Sequence, residues 1–166
     1  LDLHGTTVVL HGTNIVYDNQ SSNAAGTNLI YNGGAYTSII SKAYCASDNT
    51  TFIFAPAGVA TQQVHTGSKD RNSFLLNPVD WTNNFALDVI KIGTNTTVKL
   101  TGTANIEGGG TNALYATSID GLGPGAVIAL NGHNVYLKKR ANNITVDRTG
   151  GGRLYQAQAG TVVLIQ

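Results

Sequence analysis

Short β-branched or aromatic runs, each closed by Gly, Asn, Asp or Pro, recur from one end of this chain to the other, and they constrain its fold more than any other feature. Thr6-Thr7-Val8-Val9-Leu10 is followed by Asn14-Ile15-Val16-Tyr17, Asn28-Leu29-Ile30-Tyr31, Thr50-Thr51-Phe52-Ile53-Phe54 and Thr97-Val98-Lys99-Leu100-Thr101. The C-terminal third continues with Ala126-Val127-Ile128-Ala129-Leu130, Val135-Tyr136-Leu137-Lys138, Ile144-Thr145-Val146 and Thr161-Val162-Val163-Leu164-Ile165. Such runs read as strands, and the late ones follow at about ten residues, the spacing of sandwiches and barrels. Helix formers are scarce: one Glu, six Lys and no Met. Only 11% of the 166 residues are charged, against a usual ~25%. The deficit is filled by 20 Gly, 20 Thr and 17 Asn, residues of turns and pleated surfaces. These features exclude an all-helical protein, and a net charge of +1 with recurrent apolar residues argues against disorder.

The expected fold is all-β: a short-stranded sandwich or jelly-roll-like domain with solenoid-like strands near the N-terminus. Leu3-His4-Gly5-Thr6 recurs as Leu10-His11-Gly12-Thr13, and Gly-Thr pairs also precede Thr97-Val98 and Ala104-Asn105-Ile106. Gly-Thr turns between short strands suit the rungs of a solenoid. No fixed period spans the chain, which speaks against a complete one. Asn131-Gly132 reads as a tight turn with positive φ. The stretch Gly34–Tyr44, with Tyr36, Ile39, Ile40 and Ala43 at helical spacing, is open between helix and strand. Residues 1–166 read as one β-rich domain, with a sub-boundary near 108–112 at Gly108-Gly109-Gly110. The chain starts at Leu1 without a basic-plus-apolar leader, which reads as an excised domain or a processed fragment. No apolar run reaches the ~20 residues of a membrane span.

The sequence offers few groups for chemistry. Cys45 is single, which excludes an internal disulfide, and reads as a small buried residue. Lys138-Lys139-Arg140, with Arg148 and Arg153 nearby in sequence, is the densest charge and a candidate phosphate or polyanion site. Gly150-Gly151-Gly152 could add backbone amides to it. The alternative is a solvated strand end or a guarded sheet edge, and the small net charge argues against a nucleic-acid binder. Asp80 and Asp88 bracket Trp81, a combination suited to a sugar site, while a lone Trp equally suits a core or an interface. His4, His11, His65 and His133 have no metal-ligand spacing, and no metal is expected. Nucleophile-elbow, zinc-protease and phosphate-loop motifs are absent from the sequence.

The last fifty residues carry a resemblance. Leu114-Tyr115-Ala116-Thr117-Ser118-Ile119 leads to Gly125-Ala126-Val127-Ile128-Ala129-Leu130 and Asn131-Gly132-His133-Asn134-Val135-Tyr136-Leu137. These continue through Asn142-Asn143-Ile144-Thr145-Val146 and Gly151-Gly152-Arg153-Leu154 to Ala159-Gly160-Thr161-Val162-Val163-Leu164-Ile165. This resembles the terminal β-module of bacteriophage tailspikes and pre-neck appendage proteins. The resemblance implies an intertwined homotrimer at the end of a spike body, on the virion or released into the host cytoplasm after cleavage. It implies an intramolecular chaperone that sets the register of the spike, some members being freed by autocleavage. Asp2 and His4 would be the nearest acid or base for a cut before Leu1. It also implies ATP as a ligand, as linked to the released piece of the appendage type. The serine-led cleavage motif and long helical arm of the endosialidase-type chaperones are not evident.

Three functions follow as expectations. The first is a trimeric assembly module of a phage tail appendage acting in host attachment. The second is a carbohydrate- or receptor-binding module that meets host cell-wall glycan through Trp81 or exposed tyrosines such as Tyr31, Tyr36 and Tyr155. The third is a polysaccharide-degrading fragment resting on Asp80 and Asp88. A turnover enzyme is not expected.

Overall fold

The computed structural model describes residues 7–10, 14–19, 28–32, 51–55, 61–72, 81, 86–102, 110–158 and 161–165. These form strands β1 (Thr7–Leu10), β2 (Asn14–Asn19), β3 (Asn28–Asn32), β4 (Thr51–Phe54), β5 (Thr61–His65), β6 (Ser68–Lys69) and β7 (Leu87–Ile92). They continue with β8 (Thr97–Thr101), β9 (Asn112–Gly121), β10 (Val127–Ala129), β11 (Asn134–Leu137), β12 (Thr145–Asp147), β13 (Leu154–Gln158) and β14 (Thr161–Ile165). The all-β class is as the sequence indicates. The ambiguous stretch 34–44 and Cys45 lie outside the described residues.

The pairing differs from a sandwich or jelly roll. Those folds are built from antiparallel strands, whereas here β1, β4, β7, β9, β11 and β13 pair in parallel along one sheet. β2, β5, β8, β10 and β12 do the same along the other. The chain passes from one sheet to the other and back, laying each coil on the last, so the described strands form a stacked solenoid. Antiparallel strands occur where stacking stops or is interrupted: β14 on β13, β3 on β2, and the two-residue β6 beside the start of β9. Period-two patterning tells which side chains face inward but not which strand is the neighbour, so it could not separate these architectures.

The coils hide their own period. Val98, Ile128 and Val146 stack in register at steps of thirty and then eighteen residues. Leu114, Val135 and Leu154 stack at twenty-one and then nineteen. Corners shorten toward the C-terminus while the strands keep their register, which is why the sequence shows no constant repeat.

One core runs inside the coils from Phe52 to Leu154, crossing the 108–112 sub-boundary. Phe52, Ile90 and Ile119 stack in one row, and Ala116, Leu137 and Gln156 in another. The buried Gln156 uses its Oε1 to accept the Ala141 N–H at 3.1 Å. Inward positions change parity within β9, from Leu114 and Ala116 to Ile119, and within β7 from Leu87 to Ile90. The switch falls at the same level in both strands, which keep one offset of twenty-nine residues across it. It divides the sheet into two panels. The first holds β1, β4 and the ends of β7 and β9. The second holds β6, the start of β9, β11, β13 and β14.

The corner after β10 is the tight turn the Asn-Gly pair indicates: Asn131 has φ 49° and Gly132 φ 88°. The next coil lays its own corner on it, with Gly132 N–H donating to Gly151 O at 3.1 Å. Gly152 has φ 92°, and a Cβ there would overlap the His133 carbonyl oxygen. Close approach of two corners therefore requires glycine at this position.

Candidate functional site

Outward positions on the β2-to-β12 sheet form two rows across the strands. One row is Thr61, Thr97, Val127 and Thr145; the next is Gln63, Lys99, Ala129 and Asp147. Ala129 is the short member of its row, flanked by longer side chains on both neighbouring strands. The result is a hollow of about 370 Å³ lined by Thr61, Thr97, Lys99, Ala129, Asn131, Asp147 and Thr149. Strands lie about 4.8 Å apart, so the Lys99 and Asp147 backbones stand about 10 Å from each other on either side of the alanine floor.

The rim of this trough is polar and partly committed. Asp147 Oδ1 accepts the Thr149 N–H at 2.8 Å. Hydrogen bonds from the Thr149 hydroxyl and amide hold the Asp147 carboxyl below the usual aspartate range. Asn131 donates its Nδ2 to Leu100 O at 2.9 Å, which leaves its side-chain carbonyl free to accept. Lys99 is exposed and has no hydrogen-bond or ion-pair partner among the described residues. The trough thus presents one cation, one anion, hydroxyls and an amide carbonyl around an apolar floor. Among the described residues its lining offers a single carboxylate, whereas glycoside hydrolysis ordinarily uses two.

A second cluster lies on the outer side of the β9–β11–β13 panel. Tyr115, Tyr136 and Tyr155 occupy successive strands and stack with ring centres 4.6 and 4.9 Å apart. Trp81 closes the stack edge-on at 5.2 Å from Tyr115, and Lys138 Nζ lies 4.9 Å from the Trp81 ring centre. Asp70 ties the rim: its Oδ1 accepts the Tyr136 hydroxyl at 2.8 Å, and its Oδ2 accepts Asn134 Nδ2 at 2.7 Å. Burial, followed by this bond to Asp70, pushes the Tyr136 hydroxyl far above the ordinary tyrosine range. All four rings are at least nine-tenths buried, so the cluster acts as packing.

The structure redistributes the residues singled out from sequence. Lys138, Lys139 and Arg140 are exposed at the corner that follows β11, where the amides of Lys138 and Lys139 bond to Ala116 and Thr117. Arg148 and Arg153 belong to the opposite corner, between β12 and β13, with Arg153 O accepting from Val135 N–H at the start of β11. The length of β11, about 13 Å at ~3.3 Å per residue, separates the two groups. They do not form one anion site. The Gly151 amide, a candidate donor for such a site, donates to Arg148 O.

Trp81 is 7% exposed and meets Tyr115, so it is no open sugar platform. Tyr155 is likewise packed into the stack. Asp88 is half-buried in β7, while Asp2, His4, Asp80 and Tyr36 lie outside the described residues. Tyr31 falls in β3. His133 Nδ1 sits 3.1 Å from Asn112 O, and no trio of metal-ligating side chains converges among the described residues.

Sequence reasoning missed the trough. Its signal was the pattern Thr-x-Gln, Thr-x-Lys and Thr-x-Asp at 61–63, 97–99 and 145–147, which sets a threonine two positions before a polar residue on one sheet face. Comparison of the chain with protein-family models, with curated proteins and with solved structures found no match.

Proposed function

We propose that this chain is a terminal assembly module of a bacteriophage tail appendage or tailspike, working as a homotrimer that registers the spike body for host attachment. The observation that carries the reading is the stack itself. Coil follows coil in parallel from β1 to β13, and β14 then turns antiparallel at the edge of the sheet among the described residues. Such an arrangement suits the end of a solenoidal spike. Short strands with few charges leave sheet edges that association between chains would cover. Three chains held together at one end would raise each other's local concentration and favour a single register. The basic residues stand at two corners, so the proposal includes no nucleotide. Light scattering on the purified chain tests it. The expected species has three times the 17.3 kDa chain mass, and a monomer at micromolar concentration would overturn the reading.

A second reading, carbohydrate binding, is favoured by the trough rather than by Trp81. A hollow with an apolar floor and a hydrogen-bonding rim suits a sugar ring, and its single carboxylate favours binding over cleavage.

A further inference from the structure

We infer that the trough on the β5–β8–β10–β12 face takes an acidic saccharide, with the ligand's carboxylate on Lys99 and its hydroxyls on the opposite rim. The inference rests on the carbohydrate-binding reading and names the ligand class of that site.

The argument begins from what each lining group still lacks. Asp147 already receives the Thr149 amide and hydroxyl, so its charge is partly answered within the fold. Lys99, on the far side of Ala129, has no such partner among the described residues. The unmet demand of the trough is therefore for an anion at the Lys99 end. Across Ala129 from Lys99 the groups that remain are the carboxylate of Asp147 and the Thr149 oxygen, while the Asn131 side chain, bonded to Leu100 O, sets its carbonyl on the β8 side. A carboxylate and a free amide carbonyl accept hydrogen bonds, and hydroxyl groups of a ligand donate them. Between the ends lies Ala129, whose methyl group can meet the C–H face of a ring. A cation, an apolar floor and a carboxylate rim about 10 Å away, at ~4.8 Å per strand, match a sugar that carries its acid on one side and hydroxyls on the other.

A second row of hydroxyls beside the Lys99–Asp147 line makes the trough suited to part of a longer chain rather than to an isolated monosaccharide. Thr61 and Thr97 sit in the neighbouring row on β5 and β8, so hydroxyl groups continue along the face beyond the Lys99–Asp147 line. A uronic-acid oligosaccharide fits this layout, and a charge-assisted contact to Lys99 makes its affinity fall with added salt.

Calorimetric titration tests the inference. The intact chain is titrated with uronate tetrasaccharides of the gluco, galacto and manno series, each paired with its carboxyl-reduced neutral counterpart. At least one acidic member is expected to bind, and to bind about tenfold more tightly than its neutral counterpart. Lys99→Gln removes that preference, and Ala129→Phe fills the floor and abolishes binding, with circular dichroism confirming that both variants remain folded. Equal affinity for acidic and neutral partners, unchanged by Lys99→Gln but lost in Ala129→Phe, would overturn the acidic ligand and keep the trough as a sugar site. No binding by any tetrasaccharide would overturn both.

Discussion

Two glycines one residue apart separate the effect of backbone conformation from that of close approach. Gly151 and Gly152 both have positive φ, 88° and 92°. A Cβ on Gly151 would meet only Gly132 Cα, at 3.8 Å, whereas one on Gly152 would overlap the backbone of His133 and touch Leu130 Cβ at 3.0 Å. Gly151→Ala is expected to cost the ~1–2 kcal/mol of a left-handed L-residue. Gly152→Ala adds a clash and should cost at least ~1–3 kcal/mol more; urea unfolding of the two variants measures the difference. Tyr136 offers a second test at this scale. Its hydroxyl keeps its proton in the folded chain far above the usual range, while the unfolded chain releases it near pH ~10. Above that pH the unfolded state binds fewer protons, so stability falls as pH rises. Tyr136→Phe is expected to cost about 1.5–3 kcal/mol at neutral pH, by losing a bond to a charged acceptor. It should also flatten the decline between pH 10 and 11, read from thermal melts across that range. Asp70→Asn in the same background would add less than its separate effect, since both changes break one bond.

At the scale of the element, legibility depended on what kind of information a strand carries. The runs at 97–101, 126–130 and 161–165 announced themselves because apolar and β-branched residues fill them. β5, Thr-Gln-Gln-Val-His, did not, because one of its inward positions is Gln62, fully buried in the stack. The Asn131-Gly132 turn was legible since few pairs adopt positive φ so readily. Parallel pairing was not, because neighbouring strands stand eighteen or more residues apart and nothing local specifies them. The same held for the aromatic stack: Tyr115, Tyr136 and Tyr155 come together only once β9, β11 and β13 are in register. β9 is paired on both long edges, by β6 and β7 on one side and β11 on the other. Its amides are therefore expected to be among the slowest to exchange with deuterium, and slower than those of the short β12, which pairs only with β10 among the described residues.

The whole molecule is quasi-one-dimensional: each coil touches chiefly the coils before and after it. Stability in such stacks is close to a sum of neighbour terms, so damage stays near where it is made. Leu154→Ala removes a buried side chain from the last coil and should cost about 2–5 kcal/mol. Its exchange signature is expected in β11 and β13, with little change in β4 and β7. A uniform loss of protection across all strands would instead mark a single cooperative unit. A chain of this kind also tolerates uneven coils, since a longer corner leaves the register of the strands intact. That accounts for the absence of a constant repeat in a sequence whose strands nevertheless stack from β1 to β13.

The aromatic stack has an optical consequence. Trp81 is the only tryptophan in the chain, and it stands 5.2 Å from the first of three tyrosine rings that are themselves 4.6 and 4.9 Å apart. Light absorbed by the tyrosines at such separations passes to the indole, so one emitter reports the alignment of three successive strands. The excitation spectrum of Trp81 emission should carry a tyrosine contribution that falls when β9, β11 and β13 come apart on unfolding. The panel is thereby a built-in gauge of its own assembly, readable without a label.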